Sequence, residues 1–513
     1  MIDYVVNRGY GWGRYMWRAV GWLVSVLMFG WLVVVVNGID TGRAGGGLVV
    51  VRTVPAGGDL GVAVNSEIEI LLEQPVAGVA GMVVGKWSGV RPGEWLVEAG
   101  GRGLRWRGER PFSAGEMVMV TIRATDGEGL PVGASYSFSF WARTQVTVPR
   151  WELSQTLSTR DIANEGTRAY GGVATDFNED GWLDLGIINE DTADVRLFLN
   201  LGEGRGLFGG YLRPTTPVNQ RASPNDVGDF NGDGHMDWAI ANIDANTVSI
   251  LLGNGDGTFE PQVEIGVGEA PRGLAVLDVD GDGDVDVVNT NSAGSGNLSL
   301  LVNDGRGRFG SPIYFEGGDG GEWGLAAADM NGDGLMDLVV GSRDSSPTVR
   351  VLLSRGDGTF DFGPAQIVGG GVWMLAVGDV NGDGHDDVVT VNGSNHNGSV
   401  LMGDGIGQLA PPVIYGLDAL PIAVDLGDVD GDGDLDWVTS SYLGDFMLWE
   451  NDGDGNFELV GEFTAPEAAS CALLFDVDND GDLDLALIDE EADLILVQKN
   501  VGERGFLPVV VGE

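Results

Sequence analysis

An acidic segment of nine residues recurs seven times along this chain of 513 residues, and no other feature constrains the fold as strongly. Each copy has Asp at positions 1, 5 and 9, Asn or Asp at position 3, and Gly at position 6, as in residues 278–286. The copies begin at Asp176, Asp229, Asp278, Asp329, Asp379, Asp428 and Asp476. Because successive copies start 48 to 53 residues apart, the sequence predicts an array of structural repeats of about 50 residues each.

The spacing of the oxygen-bearing side chains predicts a calcium site in each segment. Acidic side chains at alternate positions converge on one point where the backbone curls, and Gly at position 6 allows the sharp turn. Carboxylates held this close repel one another unless a cation lies between them, and Ca²⁺ takes about six to eight oxygen ligands. The alternative is an acidic turn that binds nothing, which seven regular copies disfavour. We therefore predict up to seven structural Ca²⁺ ions.

The predicted metal ligands are the residues at positions 1, 3, 5, 7 and 9 of each segment, with position 7 contributing its backbone carbonyl. They are Asp176, Asn178, Asp180, Trp182, Asp184, Asp229, Asn231, Asp233, His235, Asp237, Asp278, Asp280, Asp282, Asp284, Asp286, Asp329, Asn331, Asp333, Leu335, Asp337, Asp379, Asn381, Asp383, His385, Asp387, Asp428, Asp430, Asp432, Asp434, Asp436, Asp476, Asp478, Asp480, Asp482 and Asp484. No copy has the Glu at position 12 that an EF-hand requires, and the flanking residues are strand-like.

The strand pattern of the repeats predicts an all-β fold. Each repeat reads as an apolar strand, the acidic segment, a second apolar strand, a polar loop, a third strand, a glycine-rich turn and a fourth strand. Four strands per repeat are typical of a propeller blade, and seven blades would close a ring without a long exposed edge. The acidic segments and glycine-rich turns would share one face, and the more variable loops would lie on the opposite face.

The acidic segment is followed in most repeats by Gly-x-Gly-x-Phe, as at residues 255–259 and 356–360. This combined motif resembles the FG-GAP/VCBS repeat family. The resemblance implies an integrin-α-like, seven-bladed β-propeller over residues 145–513, with calcium in the hairpins of its blades. The fifth repeat departs from the pattern, with Leu409 in place of Phe, and the turn of the seventh is irregular.

Residues 1–47 are predicted to form an export signal or membrane anchor followed by a glycine-rich tether. Residues 19–36 carry no charge and follow a stretch with three arginines, a pattern shared by signal peptides and single spanning helices. An uncleaved apolar helix is favoured over a cleaved signal, because the run is longer than a usual signal core. Both interpretations predict an exported protein, either anchored at the cell surface by this membrane segment or secreted.

Residues 48–144 alternate short strand patterns with turns, which predicts a β-sandwich. The stretches Val54-Pro-Ala-Gly-Gly and Tyr136-Ser-Phe-Ser-Phe resemble the bacterial Ig-like domain of surface-layer proteins. The resemblance implies an Ig-like β-sandwich that acts as a spacer or a binder.

Charge and cysteine content limit the partners and the chemistry. The net charge of −49 argues against nucleic acid and anionic membranes as partners. The single cysteine, Cys471, excludes an internal disulfide, and its apolar strand predicts a buried, inert thiol.

Seven residues, each six positions before a first Asp, are predicted to ring the mouth of a central channel on the variable face. They are Tyr170, Ser223, Arg272, Trp323, Trp373, Ile422 and Ser470. Arg272, Trp323 and Trp373 are the candidate ligand-binding residues, because aromatic rings and guanidinium groups bind sugars and acidic peptides. The alternative is that the tryptophans pack between blades.

No nucleophile motif, phosphate-binding loop or zinc spacing occurs in the sequence, so we predict a protein that is not an enzyme. The predicted function is an exported, calcium-stabilised binding or adhesion module of the cell surface, with an extracellular glycan or protein as its partner. One alternative is a calcium-dependent, lyase-like enzyme acting on polysaccharides, with Arg221 or Arg272 beside an acidic sugar. Another is a purely structural surface component.

Overall fold

The computed structural model describes residues 48–161, 166–293, 297–318, 320–343 and 346–504. The predicted export signal or membrane anchor, with its apolar helix, lies outside these residues. Within the described ranges, no helix is long and apolar enough to cross a membrane. Apart from one 3-10 turn at Gly393–Asn395, the regular elements of those ranges are β-strands, which confirms the prediction of an all-β fold.

The first eight strands form two four-stranded antiparallel sheets, which we call the N-terminal sheet pair. Its strands are β1 (Val50–Val54), β2 (Ile68–Leu72), β3 (Gly78–Gly85), β4 (Gly89–Val90), β5 (Gly93–Val97), β6 (Gly103–Gly108), β7 (Met117–Thr125) and β8 (Pro131–Trp141). The sheets have the strand orders β1-β2-β6-β5 and β4-β3-β7-β8. Alternate residues of β2 and β7, such as Ile68, Ile70, Val118 and Val120, are buried in one shared core. This period of two is expected of strands with one buried face.

The repeats form a second set of small antiparallel sheets. The strands are β9 (Thr147–Val148), β10 (Trp151–Ser158), β11 (Ala169–Thr175), β12 (Asp184–Asn189), β13 (Asp194–Phe198), β14 (Thr216–Pro217), β15 (Ala222–Gly228), β16 (Asp237–Asn242), β17 (Thr247–Leu251), β18 (Val263–Gly266), β19 (Pro271–Leu277), β20 (Asp286–Asn291), β21 (Asn297–Leu301), β22 (Ile313–Glu316), β23 (Glu322–Ala328), β24 (Asp337–Ser342), β25 (Thr348–Ser354), β26 (Phe360–Phe362), β27 (Gln366–Ile367), β28 (Val372–Gly378), β29 (Asp387–Asn392), β30 (Asn397–Leu401), β31 (Val413–Gly416), β32 (Pro421–Gly427), β33 (Asp436–Ser441), β34 (Phe446–Asn451), β35 (Phe457–Phe463), β36 (Ala469–Phe475), β37 (Asp484–Asp489), β38 (Leu494–Asn500) and β39 (Glu503–Arg504).

Within each repeat sheet, the strands lie side by side in chain order. The acidic segment connects the first strand to the second, as between β19 and β20, in agreement with the sequence-based expectation. The last repeat obtains its outer strand from the other end of the array, because β10 pairs with β38. This pairing ties the beginning of the repeat region to its end.

The repeat sheets pack around their first strands. The first strands of successive sheets contact one another in order, and β36 of the last sheet contacts β11 of the first. Apolar side chains fill the spaces between neighbouring sheets; Trp238 of one sheet, for example, packs against Phe177 and Ile188 of the preceding repeat. Second strands such as β16 are buried along their whole length, whereas outer strands such as β18 are largely exposed. The arrangement is propeller-like.

Candidate functional site

Each acidic segment is a tight loop in which the first and last aspartates hold the backbone. In the third loop, Asp278 accepts hydrogen bonds from the N–H groups of Gly281 at 2.8 Å and Gly283 at 2.9 Å. Gly283, at position 6, has a φ of +91°, a conformation that favours glycine. Asp286 at position 9 accepts a hydrogen bond at 2.8 Å from the N–H of Asn303, which begins the glycine-rich turn. The two ends of the loop are therefore fixed by backbone donors.

Three loops bring acidic oxygens close enough to share a cation. In each of them, one oxygen from each of three aspartates lies within 4.8 Å of the others. The groups are Asp278, Asp280 and Asp282; Asp428, Asp430 and Asp436; and Asp476, Asp478 and Asp484. These are the three loops with Asp rather than Asn at position 3. In the other four loops, the equivalent donor would be an amide oxygen: Asn178, Asn231, Asn331 or Asn381.

The aspartates at position 9 are buried, and burial opposes their ionisation. Burial raises the pKa of Asp184, Asp286 and Asp337 to about 8, and the negative charge of neighbouring loop carboxylates raises it further. For Asp237 and Asp387 the pKa rises to about 7 for the same reasons. A buried carboxylate of this kind ionises readily only when a cation compensates its charge.

A hard divalent cation fits the donors that these loops present. The loops offer carboxylate, amide and carbonyl oxygens, the ligand types that Ca²⁺ prefers. In the sixth loop, Oδ1 of Asp434 is buried and has no hydrogen-bond partner. In the three loops with clustered aspartates, the predicted ligand residues therefore bring together oxygen donors that could hold such a cation.

The side chains at position 7 are not the expected metal donors. Most of them pack against a glycine of the following turn. A Cβ at that glycine would lie within 3.2 Å of the position 7 side chain. The pairs are Trp182 with Gly202, His235 with Gly255, Asp284 with Gly305, Leu335 with Gly356, His385 with Gly405, and Asp434 with Gly453. This close approach explains why the turn requires glycine, and it leaves the backbone carbonyl as the expected donor at position 7.

The N-terminal sheet pair lies on the face that carries the acidic loops. Ser135 donates a hydrogen bond to Oδ2 of Asp278, and Thr144 donates one to Oδ2 of Asp428 at 2.8 Å. The N–H of Ser137 donates to the carbonyl of Gly334 at 2.8 Å. Two further loops are reached by backbone hydrogen bonds, from the N–H of Asp176 to the carbonyl of Trp87 and from the N–H of Gln145 to the carbonyl of Gly481. In the last two loops, Met236 and Gly384 lie so near Gly89 and Gly58 that a Cβ at these glycines would touch them. Residues 58–145 thus approach all seven loops.

A cavity of about 420 Å³ runs along the first strands of the repeat sheets. At one end it is lined by the predicted mouth residues Tyr170, Ser223, Arg272, Trp323, Trp373, Ile422 and Ser470. At the other end it is lined by Met82, Lys86, Trp87, Met117 and Met119 of the N-terminal sheet pair. Each mouth residue lies at an irregularity in the pairing of its first strand, where the strand register shifts. Such bulges re-aim side chains.

Two tryptophans and two arginines meet at the mouth of the cavity. The rings of Trp323 and Trp373, on neighbouring sheets, lie 4.6 Å apart between centroids at an angle of 67°. The guanidinium carbon of Arg272 lies 4.1 Å from the centroid of Trp323. That of Arg343 lies 3.7 Å from the centroid of Trp323 and 4.1 Å from that of Trp373. We call these four residues the Arg–Trp cluster.

The two tryptophans of the cluster have different surroundings. Trp373 packs against the apolar core between its own sheet and the next, and its Nε1 is buried without a hydrogen-bond partner. Trp323 is instead enclosed by the two guanidinium groups. Both side chains are partly exposed.

The rest of the mouth is chemically different. Ser470 donates hydrogen bonds to the carbonyls of Ala169 and Ile488, which link two sheets. Glu490 is buried beside Arg168, and burial raises its pKa to about 7 although Arg168 opposes the shift. The mouth therefore combines a cationic, aromatic sector with a sector of paired charges.

A protein-family model described as the FG-GAP-like repeat matches six overlapping segments of the chain: residues 176–240, 229–289, 278–340, 329–390, 379–439 and 428–487. The chain belongs to the FG-GAP-like repeat family. Each matched segment begins at the first Asp of one loop and ends at position 12 of the next. The match to the family model therefore rests on the acidic loops and on the strands between them.

Similar solved structures share little sequence identity with the chain. No curated protein matches the chain. Among solved structures, a crystal structure of BBS1N in complex with ARL6DN, soaked with lead, matches with 12% identity and a TM-score of 0.46, covering 68% of this chain and 96% of that one. A functionally unknown protein from Desulfotomaculum acetoxidans DSM 771 matches with 11% identity and a TM-score of 0.40, covering 61% of this chain and 95% of that one.

Two features of the structure were not predicted from the sequence: Arg343 in the Arg–Trp cluster, and the docking of the N-terminal sheet pair on the acidic loops. Arg343 lies 14 residues after the first Asp of its repeat, at the end of the second strand, and this register position could have been inspected in every repeat. The docking of the N-terminal sheet pair leaves no periodic signal, because single residues such as Ser135 and Thr144 make its contacts.

Proposed function

We propose that the protein is an exported, calcium-stabilised binding or adhesion module of the cell surface, which recognises a glycan or a protein at the mouth of its cavity. In this proposal, the repeat sheets are the seven blades of an integrin-α-like propeller over residues 145–513. The N-terminal sheet pair is the Ig-like β-sandwich of residues 48–144. Residues 1–47 export the chain or anchor it in a membrane.

Calcium is the cation that the loop chemistry favours. Seven loops present oxygen ligands alone, and three of them bring three carboxylate oxygens within 4.8 Å of each other. A site made of oxygens with no nitrogen or sulfur donor favours Ca²⁺ over softer metals. Because the proposed ligands are protein oxygens inside strand-connecting loops, the ion would stabilise the fold rather than take part in chemistry.

The Arg–Trp cluster carries the proposal of a binding function. Partly exposed tryptophans and arginines are over-represented among the residues that contribute most to binding energy. Here four of them meet on three successive sheets and line or adjoin a large cavity. A tryptophan ring can stack on a sugar, and a guanidinium group can bind a carboxylate in a planar, bidentate geometry.

The lyase-like alternative has less support. It would need an arginine free to bind the acid group of a sugar beside a group that accepts a proton. Arg221, one of the two arginines considered for this task, forms an ion pair with Asp244 at 3.3 Å. Arg272 stacks on Trp323, and in that position it could bind an acidic group. Such a contact supports binding and does not by itself indicate catalysis.

The proposal can be tested by screening the full chain, with calcium present, against arrays of acidic glycans and acidic peptides. A hit should lose roughly 2 kcal/mol or more of binding free energy in Trp323→Ala, as expected of an anchor residue. Phe362→Ala is the matched control, because Phe362 is an exposed aromatic residue on the outer strand of the same sheet. Equal losses for both variants, or unchanged binding in Trp323→Ala, would contradict the proposed site.

A further inference from the structure

The cavity is closed at one end by the N-terminal sheet pair. That pair and the segment that follows it, together residues 58–145, approach all seven acidic loops, which surround this end of the cavity. Lys86 reaches in from it and forms an ion pair of 2.9 Å with Asp425 of a first strand. A channel that would otherwise pass between the repeat sheets is therefore a pocket with one mouth and a floor.

The wall of this pocket is apolar. Its middle is formed by small and aliphatic side chains of the first strands, among them Val173, Ala275, Ala327, Ala376 and Val424. Met374 also lines it and is 40% exposed, a large exposure for an apolar side chain in a closed wall. A volume of about 420 Å³ lies in the range of small-molecule pockets, which are mostly apolar with a few polar groups that orient the ligand.

Charge is distributed unequally between the two ends. At the mouth, the guanidinium groups of Arg272 and Arg343 stack on tryptophan rings and form no ion pair or hydrogen bond with any other described residue, although the chain carries a net charge of −49. Nε of Arg272 is buried without a partner. Burial lowers the pKa of both arginines, and each is repelled by another arginine nearby. Glu190 and Asp244 attract Arg272 but form no ion pair with it, so the two guanidinium groups keep free donors that favour an anionic ligand.

Near the floor, the balance has the opposite sign. Asp226 and Asp425 both line the pocket, and Lys86 is the one cationic side chain among the described residues that line this end. Their carboxylates accept hydrogen bonds from backbone N–H groups of the next sheet, those of Val276 and Leu474 respectively. An anion would therefore be repelled from the floor and attracted to the mouth.

We propose that the pocket binds a long-chain aliphatic carboxylate, with its carboxylate at Arg272 and Arg343 and its alkyl chain extending along the first strands toward the sheet-pair floor. The apolar wall excludes a hydrated sugar chain from the interior, and the charge gradient sets the orientation. This inference goes beyond the proposed recognition of a glycan or protein at the mouth, because it assigns the interior to a separate small ligand.

Titration calorimetry of the full chain with octanoate, dodecanoate and hexadecanoate tests the inference. We expect affinity to rise about fourfold with each added methylene, because each is buried against the apolar wall. Dodecyltrimethylammonium, with the same tail and a cationic head, should bind far more weakly than dodecanoate. Equal binding of the two would overturn the proposed orientation, and binding of acetate as tightly as dodecanoate would overturn the role of the apolar interior.

Three variants test where in the pocket the carboxylate and the alkyl chain of the ligand bind. Arg272→Ala should weaken dodecanoate binding by roughly tenfold to a hundredfold, the loss expected for a charge-assisted hydrogen bond. Arg355→Ala is the matched control, since Arg355 is an exposed arginine that pairs with Asp361 and does not line the pocket. Ala327→Phe should shift the preference toward octanoate by filling part of the pocket. An unchanged chain-length preference in a folded Ala327→Phe protein would refute the position of the tail.

Protection of Cys471 gives an independent readout, because this only cysteine of the chain lines the pocket. Burial raises the pKa of its thiol to about 12, so alkylation by an uncharged maleimide should be slow but measurable by intact mass. Bound dodecanoate should slow it further. If dodecanoate has no effect on alkylation and no heat of binding, the inference is wrong, whereas the glycan and peptide arrays decide the mouth site separately.

Discussion

Chelation of divalent cations is expected to release the N-terminal sheet pair from the acidic loops. Four backbone N–H groups, Ser135 and Ser137 of the sheet pair and Gln145 and Thr147 of the segment that follows it, donate hydrogen bonds to loop carbonyls at 2.6 to 3.0 Å. Without a cation, the clustered carboxylates of each loop repel one another, so the loops should leave the geometry that these donors require. At about 0.5–1.5 kcal/mol for each of four bonds, docking should lose about 2–6 kcal/mol.

Hydrogen exchange of the full chain, with calcium and with a chelator, measures this loss residue by residue. A change of about 2–6 kcal/mol corresponds to roughly 30-fold or more in the exchange rate of the four docking amides. Val120, in the core of the sheet pair, is the internal control, since its strand pairing does not involve the loops. If loop amides such as that of Gly283 exchange faster on chelation while the four docking amides do not, the loops do not control docking.

Three further outcomes are expected. Chelation should lower the melting temperature of the full chain, because each site contributes about 1.4 kcal/mol when calcium is tenfold above its dissociation constant; an unchanged midpoint would exclude a structural role for the metal. Asp282→Ala, which removes the position 5 carboxylate of one loop, should cost no more than about 2 kcal/mol at saturating calcium, because damage in a repeat array stays local; loss of folding would refute this. Burial raises the pKa of Asp226 to about 6, above its unfolded value near 3.8. The free energy of unfolding that protonated Asp226 contributes at low pH should therefore be lost as the pH rises through about 6. In denaturant titrations across this range, the free energy of unfolding of Asp226→Asn should depend less on pH than that of the wild type.

Strand order and loop position could be predicted because they are periodic. The regular spacing of Asp176 and its six equivalents fixed where first strands end and second strands begin. The same register located the mouth residues, and the structure brings Arg272, Trp323 and Trp373 together at one mouth. Each of these inferences used a repeated position, where seven copies reinforce one another.

Features made by single residues could not be predicted in this way. The strand that completes the last sheet, β10, lies before the first acidic loop and has no counterpart in the other repeats. Arg343 is the arginine of a register position that holds Glu190 in one repeat and Gly393 in another. Its importance depends on the neighbouring ring of Trp323, a contact that no sequence spacing encodes.

The acidic loops connect the predicted metal sites to the pocket. The loops surround the end of the first strands, and the sheet pair that rests on them supplies the pocket floor through Lys86 and Trp87. If cation binding holds the loops in shape, it also holds the floor in place, although no ligand of the pocket touches the metal. Chelation should therefore weaken dodecanoate binding through a floor that opens, and Lys86→Met, which removes the ion pair with Asp425 but keeps the cation sites, should weaken it less than chelation does. An equal effect of both changes would show that the ion pair alone, rather than the loops, keeps the pocket closed.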